Sequence, residues 1–232
     1  MRVSDIFFPS NIKCIFCGEE CNSGVSICSE CLTKLPYITG KTCSKCGGRV
    51  LEEDTCIDCS KDLHSFAKNY CVFDYDGVIR DKILAFKKYG RRHIGEAFSI
   101  IMLDKFIKCD IPCDIIIPMP IHKSREKERG FNQSDILVKD IADYTGRVKY
   151  NIIEKVINTP HQTGLSRENR KTNLDGAFRV VDKSAIKGKT ILVIDDIYTT
   201  GSTMAQVSDT LLKAGAKLVY GMCLARAKIN IE

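Results

Sequence analysis

Residues 191–204 read ILVIDDIYTTGSTM: four apolar residues, adjacent carboxylates at Asp195 and Asp196, then a hydroxyl-rich turn around one glycine. Two acids where a buried strand surfaces would repel a bare phosphate. Their natural partners are hydroxyl groups or a magnesium ion. Thr199, Thr200, Gly201, Ser202 and Thr203 follow at once, and STMAQVSDTLLKAG begins a helix there. Such a turn offers backbone N–H groups, hydroxyls and a helix N-terminus to one point, which suits a phosphate. A ligand with a phosphate at one end and vicinal hydroxyls beside it is a ribose 5-phosphate. The plainer reading is an acidic turn with a threonine-rich N-cap, but capping needs only one hydroxyl.

A second chemistry lies near the N-terminus. Nine of the 13 cysteines precede residue 60, and eight of these form CxxC pairs: Cys14 with Cys17, Cys28 with Cys31, Cys43 with Cys46, and Cys56 with Cys59. The pairs build two modules of one plan, with glycine after the first pair of each (Gly18, Gly47). Each CxxC can place two sulfurs on one metal, so the repeat predicts two structural Zn2+ ions with four cysteine ligands apiece. One zinc, or an interleaved ligand set, is the alternative. Cys21 is the odd member and reads as a bystander. So short a segment cannot build a core, and metal would supply its folding energy. No open coordination position or neighbouring His–Glu pair suggests catalysis by this metal.

These residues need elements to position them. The chain has 232 residues, 44% apolar, enough for one α/β domain and a small appendage. No signal peptide and no apolar run long enough to span a bilayer is evident, and thiols kept for metal suit a reducing compartment, so a cytoplasmic protein is expected. From about residue 66 the pattern reads as strands near SFAKNYCVFDYDG, a helix over VIRDKILAFKKYG with Val78, Ile79, Ile83, Leu84 and Phe86 on one face, and a helix over HIGEAFSIIMLDKFIKC. CDIIIPMP reads as a buried strand, FNQSDILVKDIADYTG as one helix stopped by Gly146, and IIEKVI, FRVV, TILVID and KLVYGMCLA as further strands. Alternating strands and helices predict a mostly parallel sheet covered on both faces, with ligands at the strands' carboxyl ends. Residues 10–62 form the expected double zinc module and residues 66–232 the α/β domain.

Net charge is +6, and between Arg80 and Arg92 six cations face Asp81 alone. Lys87, Lys88, Arg91 and Arg92 are candidate contacts for nucleic acid, against the plainer reading of a solvated basic face. Only Phe86 and Tyr89 accompany them, too few for an extended base-stacking platform. Gly188-Lys189-Thr190 lacks the earlier glycine of a P-loop and leads into a strand. VFDYDGVI has the DxDG of haloacid-dehalogenase phosphatases without their later acidic motif.

ILVIDDIYTTGST resembles the phosphoribosyl pyrophosphate (PRPP) signature of type I phosphoribosyltransferases. Tyr198 stands where that family often has a small or aliphatic residue. IIPMPIHKSREKERGFNQS resembles a segment peculiar to ComF competence proteins, and HQTGLSRENRKTNLDGAFRV resembles another, through Gln162, Leu165, Arg170, Asn173, Ala177 and Phe178. The zinc modules, Phe8-Pro9 and the basic helix agree, so the resemblance spans nearly the whole chain. It implies a type I phosphoribosyltransferase fold with a small N-terminal double zinc-ribbon-like module, and Mg2+–PRPP as ligand. Asp195 and Asp196 would meet the ribose hydroxyls as the catalytic acids, and Thr199–Thr203 the 5′-phosphate. Backbone amides around Met119 and Pro120 would face the pyrophosphate, with Arg129, Arg167 and Arg170 neutralising it. The implied role is phosphoribosyl transfer to an unnamed acceptor in DNA uptake, beside other DNA-uptake proteins. A non-catalytic PRPP-responsive factor binding single-stranded DNA or protein is the alternative.

Overall fold

A computed structural model describes residues 13–21, 26–61, 64–158 and 176–227. The chain begins with two knuckles, each a short antiparallel bridge (Lys13 with Glu20, Thr42 with Arg49) followed by a helix: α1, Ser29–Lys34, and α2, Ile57–Lys61. Gly18 and Gly47 turn the knuckles at φ of 80° and 71°, where a side chain would be strained.

Strand β1 (Asn69–Asp74) then opens a four-stranded sheet with β2 (Ile115–Pro118), β5 (Thr190–Tyr198) and β6 (Leu218–Arg226), in the order β1-β6-β5-β2 and with every neighbouring pair parallel. The helices α3 (Gly77–Tyr89) and α4 (Arg92–Lys108) lead to β2 (Ile115–Pro118). On α3, Ile79, Ile83 and Phe86 are fully buried at i, i+4, i+7 spacing, whereas Val78 is exposed and Leu84 half-buried, so the buried stripe is narrower than the sequence suggested. Three short helices follow: α5 (Lys123–Arg129), α6 (Gln133–Leu137) and α7 (Lys139–Thr145). The single helix expected across 131–146 is broken at Val138. There the Asp140 amide donates to the hydroxyl of buried Ser99 on α4 (3.0 Å), a non-local bond the sequence pattern does not carry. Gly146 ends α7 in the left-handed conformation, φ 63°, as expected.

Two expected strands leave the sheet. β3 (Ile153–Lys155) and β4 (Phe178–Val180) pair antiparallel with each other as a separate ribbon. The chain then passes through α8 (Lys183–Ile186), β5 (Thr190–Tyr198), α9 (Ser202–Lys213) and β6 (Leu218–Arg226). Ile191, Leu192, Val193 and Ile194 of β5 are all fully buried, because helices cover both faces of a parallel sheet. On one face Leu192 and Ile194 pack with Phe86, Phe98 and Leu137; on the other Ile191 and Val193 pack with Met204, Val207 and Leu211.

The zinc modules do not stand apart. Ile15, Ile27 and Leu35 belong to the same buried cluster as Phe73 and Phe98. Along β1 the Ile38 amide donates to Val72 (2.8 Å), Tyr37 bridges Phe73, and Arg49 pairs with Asp74 at 2.9 Å. The module therefore covers the outer edge of the sheet, a row of backbone groups otherwise open to foreign strands. The same ion pair accounts for Asp74 of the DxDG stretch.

Candidate functional site

β5 delivers Asp195 and Asp196 to the carboxyl edge of the sheet, beside Cys223 of β6, which pairs with Asp195 in register. Asp195, Thr199, Gly201 and Thr203 line one cleft with Met204 and Cys223. Gly201 turns the chain at φ 81° into α9 and, having no side chain, makes no N-cap hydrogen bond. A Cβ at position 201 would run into the Tyr198 hydroxyl, so the turn needs glycine twice over. Thr200 and Ser202 hydroxyls lie 2.8 Å apart, and the Ser202 amide reaches Thr200 Oγ1 at 3.4 Å.

The acids are strongly coupled to their surroundings. The Asp196 amide donates to Asp195 Oδ1 at 2.8 Å. Asp195 is pushed up to about 7, first by burial and then by the Asp196 charge; Lys87 and Lys155 oppose the shift. Lys155 comes from β3 and is itself lowered to about 8 by burial and by Arg125. It was missed by sequence reasoning; a lysine inside the apolar run IIEKVI was the one signal. Lys87, expected on a nucleic-acid face, instead sets its ammonium 2.9 and 2.8 Å from the two Asp196 carboxylate oxygens. Lys88, Arg91 and Arg92 stay exposed at the α3–α4 corner, Arg92 held by the Gly130 carbonyl (2.9 Å) and the Phe131 ring.

The loop after β2 is placed differently from expectation in one respect. The Met119 amide donates to Ile194 O (2.7 Å) and its carbonyl accepts from Asn132 (3.0 Å), so that amide is engaged within the fold. Pro120 has no amide to give. Arg129 is half-buried and bonded to Gln133 Oε1 at 2.9 Å. Arg167 and Arg170, with Gln162, Leu165 and Asn173, lie outside the described residues.

The eight paired cysteines fall into two groups, Cys14, Cys17, Cys28 and Cys31, then Cys43, Cys46, Cys56 and Cys59, with sulfurs in each within 4.8 Å of one another. Cys21 joins neither group. Backbone amides of Phe16, Cys31, Cys46 and Cys56 point at ligand sulfurs at 3.4–3.5 Å, the arrangement that supports thiolates. Zinc held tetrahedrally by four cysteine sulfurs fits both groups. In the second, Arg226 Nε also reaches Cys46 Sγ at 3.2 Å.

Comparison with known proteins agrees with this division. A double zinc ribbon family model matches residues 3–60, and a phosphoribosyl transferase domain model matches residues 130–230. The DNA utilization protein YhgH of Salmonella typhi is 30% identical over 219 residues, covering 92% of this chain and 89% of the relative. The chain belongs to the ComF family. Competence protein F of Haemophilus influenzae is 28% identical over 94% of this chain and 98% of its own, and competence protein ComFC of Bacillus subtilis 28% identical over 87% and 89%. As a ComF member it has a type I phosphoribosyltransferase fold behind a zinc-ribbon-like module. Among its described residues no helix is long and apolar enough to cross a membrane. The ComF resemblance did not flag Lys87 or Lys155 as neighbours of the acids, because each comes from a different element.

Proposed function

We propose that this protein binds Mg2+–PRPP at the carboxyl end of β5 and transfers the phosphoribosyl group to an acceptor, releasing pyrophosphate. The observation that carries the reading is the meeting of Asp195 with Thr199, Gly201 and Thr203 in one cleft at the start of α9, with Asp196 adjacent on the same strand. In the proposed reaction the C1′–O bond breaks with its electron pair leaving on pyrophosphate, while the acceptor bonds to C1′ and sheds its proton to solvent. The carboxylates accept the ribose hydroxyls and fix C1′, and the α9 N-terminus holds the 5′-phosphate. Lys155 and Arg125 supply positive charge on the side from which pyrophosphate departs, with Arg129, Arg167 and Arg170 as further candidates. Magnesium, when bound, would neutralise pyrophosphate oxygens. Relatives named for competence and DNA utilization support a role in handling incoming DNA, which we assign to the cytoplasm and to work beside DNA-uptake partners. The test is calorimetry with Mg2+–PRPP, then pyrophosphate release screened over free bases and single-stranded DNA. Binding with release on one acceptor is expected; no PRPP binding overturns the assignment.

A second reading is favoured by the exposed corner of Lys88, Arg91 and Arg92. In it the fold senses PRPP without turnover and grips single-stranded DNA. Three phosphate contacts would give a slope of about −2 in log affinity against log salt. PRPP binding without release on any acceptor, together with that slope, supports it; affinity indifferent to salt removes it.

A further inference from the structure

Lys87 leaves its helix in an unexpected direction. It continues the buried stripe of α3, four residues after Ile83 and one after Phe86, both fully buried. The helix therefore aims it over the sheet edge, while Lys88, about 100° further round, faces solvent. Its ammonium bridges both oxygens of Asp196 across 109 residues of sequence, with side-chain exposures of 22% and 12%. Exposed ion pairs contribute little, and this pair is set apart by its enclosure: the Lys34–Glu30 and Lys108–Asp104 pairs are more than half exposed.

We propose that Lys87 is a positioning residue of the ligand site, holding the Asp196 carboxylate oriented to accept ribose hydroxyls, and that it is not part of the cationic surface of its own helix. This rests on the PRPP reading above. The acid pair is served from two elements: Lys87 of α3 contacts Asp196, and Lys155 of β3 acts on Asp195. A carboxylate has about four lone-pair directions, so Asp196 can keep the ammonium and still accept from a ligand. With Lys87 gone, the Asp196 rotamer would lose its only described side-chain partner.

The experiment uses the full-length protein with zinc retained. Lys87→Met keeps the aliphatic stem and removes the charge; Lys87→Arg restores it. PRPP affinity by calorimetry should fall about 10- to 30-fold in Lys87→Met and recover to within about 3-fold in Lys87→Arg. A cycle with Asp196→Asn should be non-additive, the double variant binding no more weakly than Asp196→Asn alone. Affinity for a single-stranded oligonucleotide, and its salt slope, should match wild type in Lys87→Met and change in Lys88→Met with Arg91→Gln. Unchanged PRPP affinity in Lys87→Met, or a DNA salt slope that drops in it, overturns the inference while leaving the site reading intact. Wild-type protein that binds no PRPP overturns both. Should Lys87→Met fail to fold, the comparison of Lys87→Gln with Lys87→Arg carries the same outcomes.

Discussion

Asp195→Asn with Asp196→Asn is expected to abolish detectable PRPP binding, and Asp195→Asn alone to raise thermal stability above pH 7. The loss follows from the bonds removed. Each charged acceptor contributes about 1.5–3 kcal/mol to a hydroxyl donor, so the pair should cost roughly 100-fold or more in affinity. The gain follows from the energy stored in ionising Asp195. Burial and the Asp196 charge push it up to about 7. Between about pH 4 and 7 the folded protein therefore holds a proton that the unfolded chain has released. Stability from this group is complete below the ordinary carboxylate range and is lost as pH rises through about 7. Asparagine resembles the protonated form at every pH. Asp195→Asn alone should be nearly neutral at pH 4–5 and stabilising at pH 8 by about 2 kcal/mol, less than the full shift implies because solvent reaches the half-buried residue. For a chain of this size that is roughly 4–8 °C in melting temperature. Melting curves at pH 5 and pH 8 check it. Equal melting shifts at both pH values would show that burial strain at Asp195 is absent.

What the sequence could reveal depended on whether the partners were neighbours in it. The two cysteine groups were legible because each pair is local, and two CxxC units within about 18 residues can meet only a few ways. The turn from Asp195 to Thr203 was legible for the same reason: strand, acids, hydroxyls and helix start are contiguous. Lys87 and Lys155 were not, since nothing in FKKYG or IIEKVI says which charge will lie opposite. The break at Val138 was hidden because Ser99, which takes the Asp140 amide, sits on another helix. Met119 shows the converse limit. Its place in a proline-bounded loop suggested an available amide, but the parallel register of β2 and β5 gives that amide to Ile194. β3 and β4 were recognisable as strands, yet their pairing with each other instead of the main sheet is a tertiary choice that short apolar runs do not encode.

Loss of metal from the second cysteine group is expected to reach the phosphate turn, whereas loss from the first should act on stability alone. The second group reaches the ligand site through Arg226, and also through Asn69, which donates to the Cys46 carbonyl at 3.1 Å and accepts from Cys223 Sγ at 3.4 Å. Arg226 is 9% exposed, donates from Nε to Cys46 Sγ at 3.2 Å, and stacks 5.5 Å above the Tyr198 ring. Gly48 makes room for it, since a Cβ there would collide with the guanidinium. Tyr198, 3% exposed, in turn abuts Gly201, and its carbonyl accepts from Ala227 at 2.9 Å. A zinc-bound cysteine sulfur is a thiolate, so the contact from the Arg226 guanidinium is charge-assisted while metal is held. Cys46→Ser should release one zinc equivalent to a chromogenic chelator, lower the melting temperature by roughly 10 °C or more, and weaken PRPP binding about 10-fold, since structural zinc supplies several kcal/mol of folding energy. Cys17→Ser, in the exposed corner of the first group, should also release one equivalent and lower the melting temperature, because Ile15, Ile27 and Leu35 pack on Phe98 beneath it. Its PRPP affinity should stay within about 2-fold of wild type, as no described hydrogen bond or ion pair joins that group to residues 195–203. Arg226→Met separates the links: zinc retained at the second group with weakened PRPP binding would place the coupling in the guanidinium. Equal PRPP affinity in Cys46→Ser and Cys17→Ser would exclude coupling by this route.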